Sequence, residues 1–220
     1  MNLGSVRKQI EVLLDRLVAS SLSVKQFHPK TRYAAGGITV IGTQSCTSIA
    51  LRDVPYEDVY SELDANDAYD VKLVDGGLLL FQYRFGSDGV LLQHRLAYFP
   101  SPVLPTVDEA PALYENDELY ADIIARRLVR FPIRFDYAPE QFADIVHPRS
   151  HLTLGQYENC RIPVLGPLGP ASFGMFVVRN FYSRIYRKHK NRFDKRAPSI
   201  DRIESISEAE RRLSHFVQGN

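Results

Sequence analysis

With 220 residues, 45% of them hydrophobic and 24% charged, the chain has the make-up of a globular protein with enough material for a sizeable core. Its 27 Lys and Arg stand against 26 Asp and Glu, so a formal net charge of +1 provides no global field toward nucleic acid or a membrane, and any such contact must be local. Cys46 and Cys160, the 2 cysteines, exclude a disulfide framework and an all-cysteine zinc site; with the absence of a long apolar run, they point to a soluble cytoplasmic protein with no membrane partner.

Residues 3–18 place Leu3, Val6, Ile10, Leu13, Leu14 and Leu17 at helical spacing, with Lys8, Glu11, Asp15 and Arg16 between them. This predicts an amphipathic helix and breaks any signal-peptide run. Residues 24–27 and 38–41 read as short strands, separated by His28-Pro29 and Gly36-Gly37. The clearest local signal follows: β-rich runs at 69–74, 78–85 and 90–99, joined by Asp75-Gly76-Gly77 and Gly86-Ser87-Asp88-Gly89. Glycine-bearing turns supply the positive φ of tight hairpins, so these runs form an antiparallel meander.

The prolines of 100–111 end the sheet, because proline cannot donate to a ladder. A helix is expected over 113–128, with Tyr120, Ile123, Ile124 and Leu128 at helical spacing and Arg126 and Arg127 at its end. Strand character returns at 129–137, then at 150–154 and 159–164 around Gly155. Residues 172–188 read as one helix that buries Phe173, Phe176, Val177, Phe181 and Ile185. The spacing of Ser207 to Glu210 matches a capping box and starts a last helix running to 217. The elements amount to a single α+β domain over 1–220: a curved, mainly antiparallel sheet with helices on one face, an N-terminal helix within 1–22 and a C-terminal helical region over 170–220.

Charge is uneven along the chain. Residues 53–122 are acidic, whereas 179–196 hold Arg179, Arg184, Arg187, Lys188, Lys190, Arg192, Lys195 and Arg196, with Asp194 the only acid. Interleaved with Tyr182, Tyr186 and Phe193, these cations form a face for the phosphates and bases of RNA or DNA, or a solvated helix end. The densest polar stretch carries Arg134 and Asp136, then His147 and His151, then Asn159 and Arg161. One imidazole as base, one as acid and arginines on a phosphate are the parts of a phosphodiester-cleaving site with neither metal nor cofactor. The alternative is structural: turn chemistry at His147-Pro148, and Asp136 paired with an arginine. A helical His147/His151 metal pair is opposed by Pro148. Asp70-Val71-Lys72 has the form of a restriction-type nuclease strand, and His151-Leu152-Thr153-Leu154 fits half of a two-histidine phosphoesterase pattern. No phosphate loop, dinucleotide fingerprint or hydrolase elbow is present.

The run RFDYAPEQFADIVHPRSHLTLGQYENCRIP resembles an uncharacterised bacterial family of unknown function. More distantly, the strand meander, the Arg134-x-Asp136-x-Ala138-Pro139 stretch and the closely following His147 and His151 are similar to small TumE-type toxins. That likeness implies a ribonuclease-like component of a toxin–antitoxin or phage-defence system, with an operon-encoded protein partner. The reading that competes with it is a non-catalytic nucleic-acid- or protein-binding subunit.

Overall fold

The computed structural model describes residues 1–43, 54–104, 106–116, 120, 131–157, 159–201 and 203–213. Helix α1 (Leu3–Ala19) starts at Asn2, whose side chain accepts a hydrogen bond from Ser5 N–H, and it buries Val6, Ile10, Leu13, Leu14 and Leu17. Covering such side chains contributes about 1.5 to 3 kcal/mol each. Strands β1 (Ser23–Gln26), β2 (Thr31–Tyr33) and β3 (Thr39–Gly42) follow, and then helix α2 (Tyr56–Ala65).

The meander is present as β4 (Val71–Leu73), β5 (Leu78–Phe85) and β6 (Leu91–Phe99). Gly76 at φ 85 and Gly89 at φ 76 occupy the left-handed positions of its two turns. Short helix α3 (Pro111–Glu115) begins at the last of the prolines of 100–111, and most of the helix expected over 113–128 lies outside the described residues. Strands β7 (Ile133–Tyr137), β8 (Ser150–Leu154) and β9 (Ile162–Pro163) complete the sheet. The chain closes with α4 (Pro170–Phe181), α5 (Ser183–Lys188), α6 (Lys190–Phe193) and α7 (Glu208–Arg211). The reciprocal Ser207–Glu210 capping box forms as expected; residues 214–220 lie outside the described part.

The nine strands pair antiparallel into one curved, unclosed sheet in the order β1-β4-β5-β6-β7-β8-β9; β3 joins the far end of β5 and carries β2. The architecture is α+β. Alternation sends Phe81, Tyr83, Leu96, Tyr98 and Phe135 to one face, where α1, α4 and α5 cover them. The helices α1 and α4 approach closely at Gly174, where a Cβ would stand 2.4 Å from Leu13 Cδ1.

Three expectations need correction. Helices do not lie on one face alone: α2, absent from the sequence reading, sets Val59, Tyr60 and Leu63 against Leu78, Leu80, Ala97 and Phe99 on the opposite face. The helix expected over 172–188 is two helices, because Tyr182 leaves helical geometry at φ −126, ψ 49. Its hydroxyl is anchored instead to Asp75, at 2.9 and 3.0 Å, and to Tyr98, at 3.1 Å. The strand expected over 159–164 forms ladder only at Ile162–Pro163.

Candidate functional site

Opposed residues in an antiparallel ladder point to the same side. The register places Arg95 opposite Asp136 and Asp136 opposite His151, and in the next row Ala97 opposite Arg134 and Arg134 opposite Thr153. Arg95, Arg134, Asp136 and His151 therefore share the face not covered by α1. Arg95 Nε donates to Asp136 Oδ1 at 2.8 Å, Arg134 Nε stands 4.0 Å from Oδ2, and His151 Nε2 stands 3.9 Å from the same oxygen. Burial acts to raise the Asp136 carboxyl, but the Arg95 and Arg134 charges outweigh it and hold the group below the usual carboxylate range.

His151 Nδ1 lies 2.9 Å from the Pro148 carbonyl, so Nδ1 carries the proton and Nε2 keeps its lone pair. His147 is on no strand. The loop 143–147 brings it in: Ala143 and His147 exchange backbone hydrogen bonds at 2.6 and 3.0 Å, and Ile145 adopts φ 66, a strained conformation for a β-branched residue. The His147 and His151 rings then meet edge to face with centroids 5.0 Å apart. Burial lowers both imidazoles below 6.5; the Arg161 charge, near both, lowers them further, while Asp136 acts to raise them. Ser207 and Ser205 brace this corner through Asp144 and Ser150.

Of the residues predicted from sequence, His147, His151, Arg134, Asp136 and Arg161 come together. Asn159 does not: it is exposed in the β8–β9 turn, where its carbonyl accepts the Arg161 amide. Arg95 was missed, although the alternation of Gln93 and Arg95 with His94 and Leu96 marks a strand with a polar face. Asp70 and Lys72 do not form a nuclease pair: Asp70 accepts the Phe81 amide at 2.7 Å and Lys72 bonds Asp64 at 2.8 Å. Among the described residues no group of three or more His, Cys, Asp and Glu is placed to hold a metal ion, and no helix is long and apolar enough to cross a membrane.

The uncharacterized conserved protein family DUF2290 matches the chain over residues 22–218. The chain belongs to the DUF2290 family. No curated protein and no solved structure matches it.

In this DUF2290 protein the basic region is only partly as expected. Arg179, Arg184, Arg187, Lys188, Lys190 and Arg192 are exposed. The rings between them are not free to stack on bases: Tyr182 and Phe193 are buried, and Tyr186 donates to Asp194 at 2.6 Å while lying under Arg179. The helix interior and α6 took the aromatics into the core, which leaves cations without a stacking platform. Beside them, α4 and residues 193–197 bound an open groove of about 780 Å³ lined by Arg16, Met175, Phe176, Arg179 and Lys195.

Proposed function

We propose that this DUF2290 protein is a metal-independent ribonuclease acting on single-stranded RNA, in a toxin–antitoxin or phage-defence setting. The observation that carries the reading is the contact of His147 with His151 at 5.0 Å, above a carboxylate held by Arg95 and Arg134. One imidazole takes the proton of a ribose 2′-hydroxyl as that oxygen attacks the adjacent phosphorus. The other gives a proton to the departing 5′-oxygen, leaving a 2′,3′-cyclic phosphate and a free 5′-hydroxyl. Arg161 and Arg134 supply positive charge where negative charge grows on the phosphate oxygens. His147 stands half-buried at the rim with His151 beneath it, so the phosphodiester enters from the His147 side. The setting is an extension from the sequence resemblance of the 134–151 stretch to TumE-type toxins, which no match to a curated protein accompanies.

The test is incubation of the protein with single-stranded RNA in EDTA. Expected are cyclic-phosphate ends and a rate that falls ~10²- to 10⁴-fold in His147→Ala and in His151→Ala. Catalysis needs one neutral and one protonated imidazole, and both are lowered, so the rate peaks below pH 6.5. RNA left intact at every pH, or cleaved at full rate by the double variant, removes the reading.

The groove beside α4 favours a second reading, a non-catalytic subunit that binds nucleic acid or an operon-encoded protein through 179–196. On that reading Arg179→Ala with Arg187→Ala abolishes binding, and the two histidine variants bind normally.

A further inference from the structure

On the same sheet face as the histidine pair, but at the opposite edge, a pocket of about 320 Å³ lies between the β1–β2 connection, the end of β3 and the end of α2. Phe27, Lys30, Arg32, Thr43, Asp67 and Asp70 are on its wall. Its carboxylates are already committed: Asp67 to Lys25 at 2.6 Å and to the Tyr69 hydroxyl at 3.0 Å, Asp70 to the Phe81 amide at 2.7 Å. Lys30 is less so. Arg32 donates one N–H to the Gly42 carbonyl at 2.8 Å and its charge acts on the Asp70 carboxyl, while Lys30 is exposed with no ion pair among the described residues. The Lys30 ammonium, with the remaining Arg32 N–H groups beside it, offers charged donors that suit an anion.

Rows of side chains lead from this pocket toward the histidines. Arg32 is opposite Val40, Val40 opposite Arg84, and Arg84 opposite Gln93; the adjoining row runs Gly42, Gln82, Arg95, Asp136 and His151. At ~4.8 Å per strand, Gly42 and His151 are about 19 Å apart across the sheet. Arg32 and Arg84 in the first row place two cations between the pocket and the middle of the sheet, where the backbone phosphates of a single strand could be followed toward the histidines.

We infer that the Lys30–Arg32 pocket is a distal phosphate subsite for one single-stranded nucleic acid, whose backbone runs past Arg84 to the His147–His151 pair. This rests on the ribonuclease reading for the second site, but the pocket's own chemistry is independent of it.

The test compares a dinucleotide and an octanucleotide RNA with the same scissile step, using the full chain. Binding of the labelled octanucleotide is measured in parallel on the His147→Ala/His151→Ala protein. Lys30→Ala and Arg84→Gln each raise the octanucleotide KM and Kd about tenfold and flatten the salt dependence of binding. Dinucleotide kcat and KM stay unchanged. Octanucleotide cleavage and binding that are equally unchanged overturn the inference and leave the ribonuclease reading in place. Binding that weakens in both variants while neither RNA is ever cleaved supports the subsite and removes the ribonuclease reading. No binding of the octanucleotide at low salt overturns both.

Discussion

His94 and His151 are both nearly sealed from solvent, at 2% and 4% exposed, yet they leave the sheet on opposite faces and become different chemical groups. His94 sits among rings, with centroids 5.4 Å from Tyr83 and 6.0 Å from Tyr137, and its Nε2 accepts the Leu168 amide at 2.9 Å. Burial pushes it down to about 4, so it is a neutral acceptor that ties a loop to the core. His151 has a second imidazole, a carboxylate and arginines for neighbours, and its Nε2 remains uncommitted. Burial by itself does not separate a core histidine from a reactive one. What separates them is what the remaining nitrogen faces: His94 Nδ1 is buried without a partner among the described residues, beside aromatic rings, whereas His151 Nε2 faces a carboxylate and its ring meets a second imidazole, and that follows from the face.

Substitutions on the two faces test this division of roles. On the apolar face, Phe173→Ala leaves a cavity among Phe81, Phe135 and Val177, and chemical denaturation should show a loss of about 3 to 5 kcal/mol. On the polar face, Asp136→Ala strands two buried guanidinium groups, and the same measurement should register roughly 3 kcal/mol. Because the Asp136 carboxyl is depressed in the folded protein, its contribution is present at neutral pH and disappears as pH falls below the usual carboxylate range. His94 gives a pH-dependent effect with the same sign. Its folded value of about 4 lies below 6.5, so stability is full above pH 6.5 and is lost as pH drops from 6.5 toward 4, by on the order of 3 kcal/mol at most. In His94→Gln the slope of stability against pH over that window should flatten, and an unchanged slope would show that His94 is protonated in the fold.

The smallest change in stability is the most discriminating. Replacing Arg95, Asp136 and Arg134 together by Met, Leu and Met removes the buried charges as a set, and such replacements are commonly neutral or stabilising. Unfolding should therefore move little while cleavage disappears. A collapse of stability instead would mark the cluster as a structural device, and retained cleavage would separate it from the histidine pair.

Much of the fold was legible because its signals are local. The apolar spacing of α1, the glycine turns of the β4–β5–β6 meander, the Ser150–Leu154 strand and the Ser207–Glu210 capping box each depend on residues within a turn or two of one another. Helix α2 was not legible: Val59, Tyr60 and Leu63 form a short stripe that only Leu78, Leu80 and Phe99 complete. The break at Tyr182 was hidden for the same reason, since the Asp75 and Tyr98 groups that hold its hydroxyl are remote in sequence. At the site, the alternation of Arg134 with Asp136 put both on one face in advance. The partner that binds Asp136 most closely, Arg95, is 41 residues away and was assigned by the β6–β7 register.

By itself, then, the sequence determined which residues of each strand and helix share a side, because the periods of two and 3.6 are properties of the backbone. Only the tertiary structure decided which of those sides meet. Strand register and the loop 143–147 set His147 against His151, joined Arg95 to Asp136 and carried Asn159 out to solvent. Those pairings are fixed by long-range packing of the whole sheet between α1, α4 and α2, a balance of burial that no local window contains.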